Sequence, residues 1–207
     1  MKADPQFIIN GPKNASTTIA LAHGAGAGMN TPFMDAFAAG LAERGYRVAR
    51  FEFPYMAGFR KSGKKGPPDR EPLLRETWLK VIETLGKDRL VIGGKSMGGR
   101  IASLVADEAE VAGLVCLGYP FHPTGKPDRL RVAHLKTLVT TTLICQGTRD
   151  PFGSAIEVAG YHLSLAIRIK WLDDGDHSFK PRKSSGRTEQ QNWDEAIAEI
   201  ATFVAGL

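Results

Sequence analysis

Short, almost continuously apolar runs alternate along the chain with longer segments in which apolar residues recur every three or four positions. The runs are 17–23 (TTIALAH), 46–53 (YRVARFEF), 88–94 (DRLVIGG), 111–119 (VAGLVCLGY), 141–147 (TTLICQG) and 166–174 (AIRIKWLDD). Runs of this kind suit parallel strands covered on both faces, because a strand with one wet face alternates apolar and polar residues instead. The segments 31–44, 69–86, 96–108, 154–165 and 189–205 predict helices. The first has Thr31 as N-cap, Pro32 at the first helical position and a stop at Gly45. The last sets Trp193, Ile197, Ile200 and Val204 on one stripe, which reads as core packing. The alternation predicts an α/β fold: a single domain over 1–207, with a mostly parallel central sheet of about six or seven strands and helices on both faces. In such sheets ligand chemistry gathers at the carboxyl ends of the strands, so the strand exits are where functional residues are sought.

The segment leaving the run 88–94 is the most unusual. In VIGGKSMGGR (91–100), four glycines surround Ser96 between a strand and a helix. Gly94-Lys95-Ser96-Met97-Gly98 fits the G-x-S-x-G turn, which strains the central residue and needs small neighbours so that strand and helix can approach. The serine then heads a helix, where developing negative charge is favoured, with the Met97 N–H pointing to the same place. A phosphate-binding loop is disfavoured, since G-x-x-x-x-G-K-[ST] is absent. A glycine-rich packing turn is the plainer alternative.

A serine needs a base, a group that orients the base, and oxyanion donors. The strand exits supply candidates for each. HGAGAGMN (23–30) exposes backbone N–H groups, with Ala25 the expected partner of Met97 and Gly26 the alternative; His23 reads as a structural hydrogen-bonder. GTRDPFG (147–153) places Asp150 at the same edge, where it could equally cap a turn. DDGDHSF (173–179) presents His177, the best placed of five histidines, with Asp173, Asp174 and Asp176 as competing acids. His122, in YPFHPTGKP, competes as base. The order Ser96, Asp150, His177 is the α/β-hydrolase order, and the separations of 54 and 27 residues suit two strand–helix units and then one. Tyr55, Met56, Tyr119 and Phe121 are expected in the pocket walls, with core packing as their alternative.

Taken together, LAHGAGAGM, GGKSMGGRIAS, GYPFHPTGKP, QGTRDPFG and GDHSFK resemble a small family of lidless bacterial α/β-hydrolases described as dienelactone-hydrolase-like. That family is related to a subunit of a eukaryotic chromatin acetyltransferase complex, the NSL complex. The resemblance runs from about residue 17 to the C-terminus and implies Ser96 as nucleophile, His177 as base and Asp150 as orienter. True dienelactone hydrolases carry a cysteine nucleophile, so serine at 96 points instead to a serine esterase or related hydrolase acting on a small-molecule ester. The rival is a fold kept as a binding or interaction module. With no long insertion between 96 and 147, a cap domain has no room and the pocket is expected to be shallow.

Composition changes the picture in three ways. Over 207 residues, 43% hydrophobic and 24% charged, no run approaches the roughly 18–20 apolar residues of a membrane span. The start, MKADPQFIING, lacks an apolar signal region, so a cytoplasmic protein is expected. Cys116 and Cys145 sit inside apolar runs and read as buried thiols in a reducing compartment; no metal or redox spacing is visible, and neither metal nor cofactor is expected. The net charge of +5 is concentrated in 59–70, 122–131 and 178–187, which carry +10 between them. With Lys95 these predict a basic mouth that steers an anionic ester, flexible solvated loops being the alternative. Substrate contacts are therefore expected from Gly26, Tyr55, Lys95, Tyr119, Phe121 and His122. There is no nucleic-acid reader motif or basic helix, so no nucleic-acid partner is expected, and the sequence carries no signature of an oligomeric state.

Overall fold

The computed structural model describes residues 5–64 and 66–207. Seven strands form one sheet: β1 (Phe7–Asn10), β2 (Thr18–Ala22), β3 (Arg47–Phe51), β4 (Leu90–Lys95), β5 (Gly113–Leu117), β6 (Thr142–Gly147) and β7 (Ile167–Leu172). Their order is β1-β3-β2-β4-β5-β6-β7. Every neighbouring pair is parallel except β1 and β3, which are antiparallel. The α-helices among the described residues are α1 (Pro32–Ala42), α2 (Pro54–Ser62), α3 (Glu71–Leu85), α4 (Met97–Ser103), α5 (Ala106–Ala109), α6 (Ala155–Val158) and, after the last strand, α7 (Glu189–Ala205).

The central strands are apolar throughout because each face has its own core. Ile19, Leu21, Val91, Val115, Leu143 and Cys145 pack with Phe37 and Leu41 of α1 and Ile197, Ile200 and Val204 of α7. Their neighbours along the strands, among them Ala20, Ile92, Leu114, Cys116 and Ile144, pack on the other face with Trp78 and Val81 of α3 and Ile101 of α4. This is the two-residue period of a strand between two helical layers. Fully buried Trp78 also donates from Nε1 to the Gly98 carbonyl at 3.3 Å, which ties α3 to the start of α4. Removing such a ring to alanine costs about 3–5 kcal/mol.

The mostly parallel sheet with helices on both faces, and no separate cap, is as the alternation predicts. Thr31 caps α1 by accepting from the Met34 N–H, with Pro32 next to it, and Gly45 beyond the helix has a φ of 89°. Four differences are informative. β1 is an added antiparallel edge strand, too short for its period to register. α2 occupies the start of the basic segment 59–70; it buries only Met56, so its apolar stripe is nearly absent. The helix expected over 96–108 breaks at Leu104 and Val105, whose N–H groups bond three residues back, before α5 continues. The helix expected over 154–165 is one turn, α6, opened by a Ser154/Glu157 capping box. Among the described residues no helix is long and apolar enough to cross a membrane.

Candidate active site

β4 ends at Lys95 and α4 begins at Met97, so Ser96 makes the whole turn, with φ 52° and ψ −115°. That region is disfavoured for a residue with a side chain, and the surroundings hold it there. The Ser96 N–H donates to the Leu117 carbonyl at 3.0 Å. The glycines provide clearance: a Cβ on Gly94 would lie 2.1 Å from the Ala22 carbonyl oxygen, and one on Gly98 would lie 2.5 Å from it. β4 and α4 therefore pass over the end of β2 at backbone contact, and Ser96 Oγ is lifted to the carboxyl edge of the sheet.

His177 follows β7 and meets Ser96 at that edge. Its Nε2 accepts from Ser96 Oγ at 2.8 Å, and its Nδ1–H donates to Asp150 Oδ2 at 2.7 Å. An acceptor-only carboxylate at Nδ1 selects the tautomer whose Nε2 lone pair faces the hydroxyl. The ring is 20% exposed, lies 4.3 Å from the Phe152 ring, and its pKa is lowered mainly by burial, with Lys95 repelling and Asp150 opposing. Asp150, fully buried after β6, also accepts from the Phe152 N–H and from Gln146 Nε2, each at 2.9 Å. The competing acids go elsewhere: Asp174 pairs with Arg149 and Arg182, and Asp176 accepts the N–H groups of Ser178 and Lys180.

Gln146 was not among the residues expected at the site. It is wholly buried on β6; its Oε1 accepts the Tyr119 N–H at 2.7 Å, and its Nε2 reaches the carbonyls of Tyr119 and Gly153. It joins β5, β6 and the Asp150 loop through one amide. The available signal was a glutamine inside the apolar run TTLICQG.

The loop after β2 faces Ser96 from the other side. His23, fully buried, accepts the Phe53 N–H at Nε2 and donates from Nδ1 to the Gly24 carbonyl at 2.7 Å, as a structural hydrogen-bonder would. Neither the Ala25 nor the Met97 N–H meets an acceptor among the described residues. Gly24 to Gly28, Phe33, Met34, Phe152 and His177 line an open cleft of about 400 Å³ on the histidine side of Ser96, which includes Gly26. A second cleft of about 370 Å³ opens on the other side of Ser96, between Met97, Pro120 and Arg131.

Several residues expected at the substrate are placed differently. Tyr119 and Phe121 are fully buried in the core and line neither cleft. Gly118, at φ 69°, turns the chain inward after β5, and Phe121 fills the space beside Gly153. His122 is 2% exposed; its Nδ1–H donates to the Pro123 carbonyl, and Glu157 lies 3.4 Å from Nε2. Met56, the one buried residue of α2, lies on its inner face. Tyr55 fastens the loop after β2, its hydroxyl donating toward the carbonyls of Gly24 and Ala25 at 3.3 and 3.0 Å. Lys95 lines the first cleft beside Ser96, with its ammonium turned inward. Its Nζ donates to the His177 carbonyl and lies 5.3 and 5.7 Å from the Phe33 and Phe179 ring centres. Loss of water lowers its pKa to about 8. Among the described basic residues of the three segments, ion pairs hold Arg60 to Glu52, Arg182 to Asp174 and Arg187 to Glu195.

Lys95 acts on His177 in two ways, by anchoring its carbonyl and by repelling its charged form. In Lys95→Met the imidazole loses that repulsion and its pKa rises. The His177 titration is therefore expected to move to higher pH than in the wild type. Imidazole NMR of both proteins across pH measures the shift; an unmoved midpoint would show that Lys95 only packs.

Among the described residues no group of three or more His, Cys, Asp or Glu side chains could hold a metal ion. The family described as Alpha/beta hydrolase domain matches the chain over residues 15–205. Among solved structures, Est1E from Butyrivibrio proteoclasticus superposes with a TM-score of 0.69 at 14% identity, over 98% of this chain and 100% of that one. An alpha-beta serine hydrolase homologue from Coxiella burnetii gives 0.65 at 19% identity, over 100% and 98%. A lidless α/β serine hydrolase from Xanthomonas campestris gives 0.63 at 14% identity, over 100% and 94%. At these identities the likeness is one of fold.

Proposed function

The chain belongs to the alpha/beta hydrolase domain family, and we propose that it is a serine hydrolase of the carboxylic-ester type, working through Ser96, His177 and Asp150. One observation carries this reading. A single imidazole is hydrogen-bonded at one nitrogen to a strained serine and at the other to a buried carboxylate. That arrangement has a use in acyl transfer and carries backbone strain that packing alone does not require.

In the proposed reaction, Ser96 Oγ forms a bond to the acyl carbon as His177 Nε2 takes its proton. The charge developing on the carbonyl oxygen is met by the free N–H groups of Met97 and Ala25, at the start of α4 and in the loop after β2. Such donors are each worth about 10²–10³ in rate. His177 then delivers the proton to the leaving oxygen as the C–O bond breaks. Water, activated by the same nitrogen, releases the acyl group and restores Ser96. Asp150 keeps the tautomer and stabilises the imidazolium without taking its proton. The two clefts meeting at Ser96 are open, which suits a small or extended ester in a cytoplasmic protein. Serine in place of cysteine argues against dienelactone itself.

Labelling with a fluorophosphonate tests the assignment: one phosphonyl adduct per chain, on the peptide containing Ser96, and none in Ser96→Ala. An unlabelled wild type would favour an inert fold used for binding. Because catalysis needs neutral His177 and its pKa is lowered, kcat/KM should rise with pH through a midpoint below 6.5. Activity would then persist into mildly acidic solution; a midpoint above 6.5 would contradict the burial of the ring.

A further inference from the structure

The cleft on the far side of Ser96 from His177 holds a charge that the acyl-transfer mechanism leaves unused. Its walls include Asp69, Glu71, Arg100 and Arg131 together with Ser96 and Met97. Three of those four charged groups have partners. Arg100 Nη2 donates to Glu71 Oε2 at 3.0 Å, and Asp69 Oδ2 accepts the Tyr55 N–H at 2.9 Å, in the first turn of α2, where the helix dipole offsets its charge. Arg131 is different. Its backbone is clamped, the N–H donating to the Phe121 carbonyl at 2.7 Å and the carbonyl accepting the Tyr119 hydroxyl at 2.9 Å. Its guanidinium, partly buried, meets no carboxylate or carbonyl among the described residues. Burial and repulsion from Arg100 both lower its pKa, with Tyr119 opposing. A charge held this way is costly until an anion completes it.

We propose that Arg131 is the anchor of an acyl subsite for esters whose acyl chain ends in a carboxylate, the half-esters of short dicarboxylic acids. The inference rests on the hydrolase reading above, which also sets its direction. His177 lies on the first cleft and hands its proton to the leaving oxygen, so the alcohol departs on that side. The acyl chain is left with the second cleft, and the carboxylate at its end with Arg131. A planar guanidinium matches a carboxylate through two parallel N–H donors. The charge count also selects the class: one unpaired guanidinium beside Asp69 and Glu71 suits a monoanion, whereas a phosphate dianion would be repelled by both acids.

The test compares kcat/KM for 4-nitrophenyl hydrogen glutarate and for neutral 4-nitrophenyl valerate. In Arg131→Gln the glutarate-to-valerate ratio is expected to fall at least tenfold from its wild-type value; in Arg131→Lys, which keeps the charge without the fork, it falls less. An equal ratio in wild type and Arg131→Gln overturns the proposal. Binding of monomethyl glutarate to Ser96→Ala, by calorimetry, separates this inference from the hydrolase reading. Binding that disappears in Ser96→Ala/Arg131→Gln supports the subsite even if no ester is turned over, in which case only the hydrolase reading falls. No binding at millimolar concentration, or displacement of the half-ester by a lower concentration of inorganic phosphate, overturns the carboxylate subsite.

Discussion

Ser96→Ala is expected to lower kcat for 4-nitrophenyl butyrate by about 10⁴ or more, with the protein still folded. The loss is large because Oγ is both the bond-forming atom and the proton donor to His177 Nε2, and among the described residues no other hydroxyl is hydrogen-bonded to that nitrogen. The stability cost should be small by comparison. One hydrogen bond of 2.8 Å is lost, worth about 0.5–1.5 kcal/mol net, and the melting temperature should fall by no more than about 6 °C. Alanine keeps the strain, since it has the same Cβ at a φ of 52°. Ser96→Gly removes that strain and is expected to melt about 2–4 °C above Ser96→Ala while being equally inactive. Activity and stability thus separate at one position. Hydrolysis surviving in both variants would exclude Ser96 as the nucleophile, and equal melting of the two would mean that the turn stores little strain.

Much of this site could be read from the chain because its three principal residues leave three different strands. Ser96, Asp150 and His177 each follow an apolar run directly, and a parallel sheet brings all such exits to one edge. What could not be read is which way a side chain turns after it leaves a strand. Tyr119 and Phe121 leave β5 as a cleft wall would, yet the turn at Gly118 and the space at Gly153 direct both into the core. Lys95 lines the cleft beside Ser96 as its place in the chain suggests, but its neighbours in sequence do not reveal that two phenylalanine rings and the His177 carbonyl hold its ammonium inward. Gln146 was hidden inside an apolar strand. Arg131 was one of twelve basic residues in three segments, and only three-dimensional pairing distinguishes it from Arg60, Arg182 and Arg187, whose charges are met. Edge elements were illegible for a different reason: β1 and α2 bury too few residues for a period to emerge.

The second large effect is expected from Asp150→Asn, and it follows from the direction of every bond that Asp150 receives. Its two oxygens accept three donors: Gln146 Nε2 and His177 Nδ1 at Oδ2, and the Phe152 N–H at Oδ1. An asparagine must put an NH₂ group against one of those sets. If the amide nitrogen takes the Oδ2 place, it faces the Gln146 amide and forces His177 into the tautomer with its proton on Nε2, where it cannot accept from Ser96. If the nitrogen takes the Oδ1 place, it confronts the Phe152 N–H and strains the turn that carries the residue, and the imidazolium still loses its counter-charge. A fall in kcat of about 10⁴ is expected, as for loss of the orienting carboxylate in serine hydrolases generally. Gln146 turns this into a second measurement. Gln146 Nε2 also reaches the carbonyls of Tyr119 and Gly153, so it cannot flip to accommodate the new donor without leaving those carbonyls unmet. Asp150→Asn should therefore also lose about 1–3 kcal/mol of stability, the cost of a buried polar group left without its partner. In Asp150→Asn/Gln146→Glu a carboxyl at 146 could accept from the new NH₂, but it would leave the Tyr119 and Gly153 carbonyls without their donor, so no stability is expected to return and activity stays low. Denaturant unfolding of the single and double variants, beside their rates of fluorophosphonate labelling, reads both quantities. An asparagine variant with wild-type labelling would show that His177 does not depend on Asp150 for its tautomer.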